Sequence, residues 1–335
     1  MAIWLVCMIL AFLVYLLYEL VSSKWHVDKI EDRRVLITGC DTGFGHALAI
    51  KLVKKGVSTF AGCLTEEGAH KLRKAVGKDG GKLVTICMDV TKQESVDNAV
   101  QQVKALLAKK EGLWALVNNA GILGAAGPVD WLSIDDWQKP LDVNCLGMIR
   151  ATKAFMPLIK LERGRIVVIT SMAGRLVMPF SGPYCASKYG AEAYADVLRN
   201  EMKPFGVTVH IIEPGFMATS LTQSTSVSLR QLWKHQSHQT QLEYGDGYAH
   251  DAASYLDRTI RLMNSRRTYL VPDACVHAIA SKLPKRRYTI GIDCNVFLSC
   301  IWMPTDVTDL VAAAVLFVTR YPKLALGKVK VNEAG

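Results

Sequence analysis

From Val35 onward, short apolar runs alternate with longer stretches in which apolar residues recur every three or four positions. The runs at 35–38, 57–61, 83–88, 113–117, 166–170 and 207–212 are too short for buried helices and rich in Val, Ile and Leu, so they predict strands. Between them, the spacing predicts helices over 44–55, 66–76, 92–109, 135–160 and 185–203. Near-continuous apolar strands alternating with helices predict an α/β fold, a doubly wound parallel sheet with helices on both faces. After Pro214 the alternation breaks: residues 216–270 are polar and helix-prone, followed by a short helix near 273–282 and a strand near 288–291. An insertion at the carboxyl edge of a parallel sheet is placed to close over a ligand.

Two further apolar stretches flank this pattern. Met1 to Tyr18 carry no charged side chain, and as a helix they would span about 27 Å, close to the hydrocarbon thickness of a bilayer. Trp4, Phe12, Tyr15 and Tyr18 are followed by Glu19 and Lys24, unlike the basic start and small-residue cleavage site of a secretory signal. Residues 1–21 are therefore expected to be an uncleaved transmembrane helix. Lys24, Lys29, Arg33 and Arg34 all follow it, which places the rest of the chain on the cytosolic side. The stretch 307–318 is short for a span and reads as an interfacial or packing helix, so 296–335 is expected to be a membrane-associated or packing segment.

The net charge of +10 over 335 residues is spread in small groups such as Lys109-Lys110 and Lys285-Arg286-Arg287. No nucleic-acid-binding motif accompanies them, so an anionic membrane surface, and no nucleic acid, is the expected partner. Nine cysteines, scattered without a CxxC pair, speak for reduced thiols rather than a disulfide framework or a zinc site.

The candidate chemistry begins where the first strand turns into the first helix, at Val35-Leu36-Ile37-Thr38-Gly39-Cys40-Asp41-Thr42-Gly43-Phe44-Gly45. Glycines at 39, 43 and 45 permit a tight turn and close approach of backbone amides to a pyrophosphate. Later, Tyr184 and Lys188 stand four apart at the start of a helix, on one face. A tyrosine with a pKa near 10 is a poor base at neutral pH, and a neighbouring ammonium favours its phenolate. Ser171, at a strand end 13 residues before Tyr184, offers a hydroxyl to an alcohol or ketone oxygen.

This GxxxGxG loop, with Asp89-Val90, Asn118-Asn119-Ala120-Gly121 and Tyr184-x-x-x-Lys188 following in order, resembles the short-chain dehydrogenase/reductase family over about residues 30–295. The resemblance implies a Rossmann-type catalytic domain there, with 216–270 as its substrate loop. It implies hydride transfer by Tyr184, Lys188 and Ser171, with Tyr184 and Lys188 also contacting the cofactor and Asn144 holding a water that links Lys188 to solvent. It implies cofactor contacts from Gly39, Thr42, Gly43, Phe44 and Gly45, from Cys63 and Leu64 at the end of the second strand, and from Asp89 and Val90 at the adenine. Asn118, Ala120 and Gly121 would brace the central strand, Pro214 and Gly215 would cradle the nicotinamide, and Thr219 would bond its carboxamide. Asp41 and the absence of Arg or Lys from Gly62-Cys63-Leu64-Thr65 favour NAD over NADP.

The wording Thr38 to Gly45, Gly62 to Thr65, Leu113 to Gly121 and Glu213-Pro214-Gly215 is similar to the retinol and hydroxysteroid dehydrogenase branch, and over the same stretches to D-β-hydroxybutyrate dehydrogenase. The first implies an NAD-dependent enzyme of the endoplasmic reticulum membrane acting on a lipophilic alcohol; the second, a mitochondrial membrane enzyme, would use a basic clamp such as Arg230 or Lys234. The family also implies a homodimer. The reading of another class is a membrane-tethered scaffold that binds NAD without catalysis; Ser171, Tyr184 and Lys188 together argue against it.

Overall fold

The computed structural model describes residues 2–218, 225–299, 301, 303–310 and 321–322. Seven strands, β1 (Arg34–Ile37), β2 (Ser58–Cys63), β3 (Leu83–Cys87), β4 (Ala115–Asn118), β5 (Arg165–Ile169), β6 (Thr208–Pro214) and β7 (Arg287–Ile290), form one parallel sheet in the order 3-2-1-4-5-6-7. The order reverses beside β1, so loops after β1 and β4 diverge there and open a crevice at the carboxyl edge.

Side-chain alternation along each strand divides the core into two layers. Val35, Ile37, Ala115, Val117, Val167 and Ile169 pack on one face against α2 (Gly43–Lys54), α3 (Glu66–Val76) and α11 (Leu270–Ala280). Leu36, Leu116, Ile166 and Val168 pack on the other, against α4 (Gln93–Leu106), α6 (Met148–Leu161) and α7 (Gly182–Glu201). Both faces are thus covered, which is why these strands read as unbroken apolar runs.

The helix expected over 135–160 is three pieces: α5 (Ile134–Pro140), a π-turn over Leu141–Gly147, and α6. Pro140 lacks an amide to continue the regular ladder, and Asn144 within the widened turn is held by another segment, as described below. The insertion is also ordered as helices, α8 (Thr225–Lys234), α9 (His238–Tyr244) and α10 (Tyr248–Met263). They form a third apolar cluster with Trp131, after β4, and Phe180, after β5. Trp131 lies 5.0 Å from both Trp233 and Tyr244, ring centre to ring centre. The insertion therefore caps the carboxyl-edge loops.

At the amino end, α1 (Ala2–Lys24) is one continuous 23-residue helix. Its foot is fixed to the domain: the Tyr18 hydroxyl donates to the Leu283 carbonyl at 3.0 Å and the Ser281 hydroxyl to the Ser22 carbonyl at 2.8 Å. Among the described residues, no helix is long and apolar enough to cross a membrane; several α1 side chains lie outside that description. The last helix of the domain, α12 (Ile292–Ser299), runs across position 295, and the apolar stretch 311–318 lies outside the described residues.

Candidate active site

The glycine loop is bound to the Asn118–Gly121 segment through one buried hydroxyl. Thr38 Oγ1 accepts from the Asn119 and Ala120 amides, both at 3.0 Å, and Asn119 Nδ2 donates to the carbonyls of Thr38 and Gly39 at 2.8 Å. Gly39 has φ +70°, and a Cβ there would stand 2.7 Å from Ala120 Cα; only glycine lets the two segments close. The loop then enters α2 at Thr42, an N-cap whose hydroxyl makes no capping bond, and above Gly43 the space is open. A positive helix end, an uncommitted hydroxyl and open room fit a dinucleotide pyrophosphate.

Asp41 has a defined place. Its carboxylate accepts from the Leu64 amide at 2.8 Å, and from the Thr65 amide and hydroxyl at 2.9 and 2.8 Å. A fixed negative charge therefore sits where the end of β2 meets the glycine loop. Sequence reading saw no cation at this strand end, but the fold brings one: Arg73 on α3 lies near Cys63 and is ion-paired to Glu66 and bonded to Thr85. Cys63 itself is buried, and burial, then Asp41, push its thiol up to about 12, whereas the Leu64 side chain is exposed. Phe44 packs on the first core layer.

Asp89 accepts from the Thr91 amide and hydroxyl at 2.9 and 2.6 Å, and its own amide donates to Ser95 at 2.9 Å. Burial opposes its charged form, yet the Thr91 hydrogen bonds and Lys92 outweigh burial and hold the carboxyl below its usual range. Val90 is buried, packed against Gly147 of the π-turn. Asn118 donates to Thr152 at 2.9 Å, bracing β4 on α6.

At the ends of β4, β5 and β6 the catalytic candidates converge. Ser171 follows β5; its hydroxyl accepts from the Ala173 amide at 3.1 Å and is hydrogen-bonded to Tyr184. Lys188 Nζ donates to the Ile169 carbonyl at 3.1 Å and lies 5.8 Å from the centre of the Tyr184 ring. Burial pushes the Tyr184 phenol up to about 12, with the Ser171 hydrogen bond pulling the other way. Burial draws Lys188 down to about 8, opposed by Glu192 and Cys145. Burial thus works against the charged form of both groups, and perturbed values of this kind clustered at the carboxyl edge mark a candidate functional site.

Asn144 holds this arrangement from the side. Its Oδ1 accepts from the Ile122 amide at 2.8 Å, and its Nδ2 donates to the Ile122 carbonyl at 2.8 Å and to Ser187 Oγ at 2.9 Å. Asn144 thus acts as a strut between the π-turn, the segment after β4 and α7. A Cβ on Gly121 would lie 3.2 Å from Asn144 Oδ1 and 3.6 Å from Lys188 Nζ, so Gly121 keeps the passage between them open. Pro214 ends β6, and Gly215 packs so closely on Asp293 of α12 that a side chain there would collide; Asp293 accepts from the Phe216 amide at 2.7 Å. Thr219 lies outside the described residues.

An apolar cluster adjoins Ser171 on another side. Met172, Leu176 and Met178 after it, Phe216 after β6, and Cys294, Phe297 and Leu298 of α12 form a fourth cluster. The basic candidates for a carboxylate clamp stand elsewhere: Arg230 pairs with Asp257 on α10 at 3.8 Å, and Lys234 is exposed. Sequence reading missed α12 and Asp293, which carry no motif and are placed by tertiary packing alone; Ser187, a competitor of Ser171 in the sequence, instead accepts from Asn144.

Comparison with known proteins agrees with this geometry. Residues 33–229 match the family model for short chain dehydrogenase. Retinol dehydrogenase 16 of Mus musculus is 43% identical over 288 residues, covering 84% of this chain and 88% of that protein. Human (Homo sapiens) 17-beta-hydroxysteroid dehydrogenase type 6 is 39% identical over 300 residues, covering 89% and 93%. The solved structure of a short chain dehydrogenase/reductase from Burkholderia phymatum in complex with NAD superposes with a TM-score of 0.65 at 21% identity, covering 83% of this chain and 95% of that one. The chain is an oxidoreductase that belongs to the short-chain dehydrogenase family, in its retinol and hydroxysteroid dehydrogenase branch.

Proposed function

We propose that the protein is an NAD-dependent dehydrogenase of a lipophilic secondary or primary alcohol of the retinol or hydroxysteroid type, held on the endoplasmic reticulum membrane by α1. The observation that carries the substrate class is the apolar cluster beside Ser171, in whose segment the one cation, Arg175, is already paired with Glu213 at 3.4 Å. The two relatives named for retinol and for a hydroxysteroid support the same class. Cytosolic orientation is supported by the basic residues from Lys24 onward, and membrane attachment by the uncharged first 18 residues of the chain and by the exposure of Leu10, Leu13, Val14 and Leu17. The exposed faces of α6 and α7 are where a homodimer would form.

In this reading Ser171 holds the substrate oxygen, Tyr184 takes the hydroxyl proton, and Lys188 favours the phenolate. When bound, the nicotinamide ring accepts the hydride, and its positive charge adds to that of Lys188. The Asn144 strut keeps α7 in register with the segment after β4, which leaves Lys188 a route to solvent past Gly121. Thr38, Asn119 and Asn118 keep the crevice open at the strand ends.

Detergent-solubilised full chain with NAD is expected to form NADH from all-trans-retinol or a 3α-hydroxysteroid and not from D-β-hydroxybutyrate; turnover of hydroxybutyrate alone would refute the lipophilic reading. NAD preference rests on Asp41, whose charge would repel a ribose 2′-phosphate. Asp41→Asn should lower the NAD-to-NADP ratio of kcat/KM by about tenfold, and an unchanged ratio in paired initial-rate measurements would remove Asp41 as the selector.

A further inference from the structure

A cavity of about 750 Å³ opens at the amino edge of the sheet, opposite the edge that carries Ser171. It is lined by the starts of β6 and β7, the 282–286 loop, the end of α7 and Tyr18 of α1. Six basic side chains face it: Arg199, Lys203, Lys282, Lys285, Arg286 and Arg287; among the described lining residues none is acidic. Part of this charge is neutralised from behind. Arg199 pairs with Asp196 at 3.1 Å, Lys282 with Asp28 at 2.9 Å, and Arg287 with Glu192, Asp196 and Glu213. Lys203 bonds only the neutral Asn200 at 2.9 Å, and Arg286 is exposed with no ion pair among the described residues. Burial draws His210 down to about 4, opposed by the Lys285 carbonyl, so it is neutral and adds nothing to the field.

The position of Tyr18 sets the depth of this cavity. Its hydroxyl is bonded to Leu283 in the cavity wall, and it closes the uncharged stretch of the chain. If the preceding residues occupy the hydrocarbon, Tyr18 lies at the interface, where tyrosine is favoured, and the remaining six residues of α1 rise about 9 Å through the headgroup layer. The cavity wall is bonded to the helix within that layer.

We propose, building on the membrane reading of α1, that this cavity binds the phosphate of an anionic phospholipid headgroup, with Lys203 and Arg286 as its principal contacts. Arginine and lysine are suited to phosphate oxygens, and near the membrane each such charge strengthens attraction to anionic lipid. The site would fix the rotation of the domain about its anchor.

Titration of the full chain in uncharged detergent with dioctanoyl-phosphatidylglycerol, followed by calorimetry, tests this. Saturable binding is expected, weakened by roughly 25-fold in Lys203→Ala/Arg286→Ala, about fivefold for each charge, with alcohol turnover unchanged as evidence that the variant is folded. No saturable binding, equal binding by the variant, or equal affinity for dioctanoyl-phosphatidylcholine would overturn the proposal. Inorganic phosphate binding as tightly as the lipid would mark a free-phosphate site and overturn the lipid assignment. Alkaline carbonate extraction separates the two readings: release of the chain from membranes refutes the anchor and leaves the titration standing, whereas retention without lipid binding refutes the headgroup site alone.

Discussion

Replacing Tyr184 by phenylalanine is expected to lower kcat/KM for alcohol oxidation by about 100- to 10,000-fold, with dinucleotide affinity unchanged. The substitution removes one oxygen from a ring that is otherwise held in place by its position at the start of α7. Among the described residues, the lost oxygen is the only group hydrogen-bonded to Ser171 that can take the substrate proton. The pH profile gives an independent check. Oxidation needs the base form free, so its kcat/KM rises with pH, while reduction needs the proton and falls over the same range. The rising limb belongs to the Tyr184–Lys188 pair rather than to either residue, and it should turn over above about pH 8, where Lys188 loses the charge that supports the phenolate. In Tyr184→Phe both limbs should flatten; a variant that kept them would show that another group moves the proton.

The second large effect is expected behind the active site. Arg287 of β7 donates to Glu192 on α7 and to Glu213 on β6, both at 2.6 Å, and also pairs with Asp196. Glu213 is fully buried, one residue before Pro214, and burial and Glu192 raise its pKa, against Arg287 and Arg175. Arg287→Leu leaves two buried carboxylates with Arg175, 3.4 Å from Glu213, and the attraction of Lys188 for Glu192. Loss of one partner of a buried ion pair costs about 3–5 kcal/mol, and the partial exposure of Arg287 places this case toward the lower end. Without the cation, the folded state holds a proton on Glu213 that the unfolded state releases, so the variant's stability should rise as pH falls through the raised range of that carboxyl. Denaturant unfolding followed by tryptophan fluorescence at two pH values measures both effects. A loss independent of pH would mean that Arg287 acts by packing alone, and Arg287→Lys should recover part of the stability.

The parts legible in the sequence are those fixed by local pattern. The strands announce themselves because both sheet faces are covered, so Leu36 and its neighbours Val35 and Ile37 are all apolar though they enter different core layers. The glycine loop is legible because only glycine fits against Ala120, and the Ser171, Tyr184 and Lys188 spacing survives because all three sit near the start of one strand-to-helix crossover. The break in the 135–160 helix was not legible, since it depends on Asn144 reaching Ile122, 22 residues away. Arg73 beside Cys63 and Arg287 beside Glu192 were hidden for the same reason: the first is set by packing of α3 on β2, the second links residues 95 apart. Side chains placed by tertiary contact leave no period in the sequence.

The aromatic cap has a consequence for how this chain can change. Its cluster of Trp131, Phe180, Leu229, Tyr248, Tyr255 and their neighbours shares no residue with the two layers that stabilise the sheet. Exchanges within it redistribute packing among α8, α9 and α10 while leaving the strands and the proton-transfer groups where they are. The fold thus separates the packing of the cap from the packing that holds the strands, so that paired exchanges in the two are expected to change stability independently of one another.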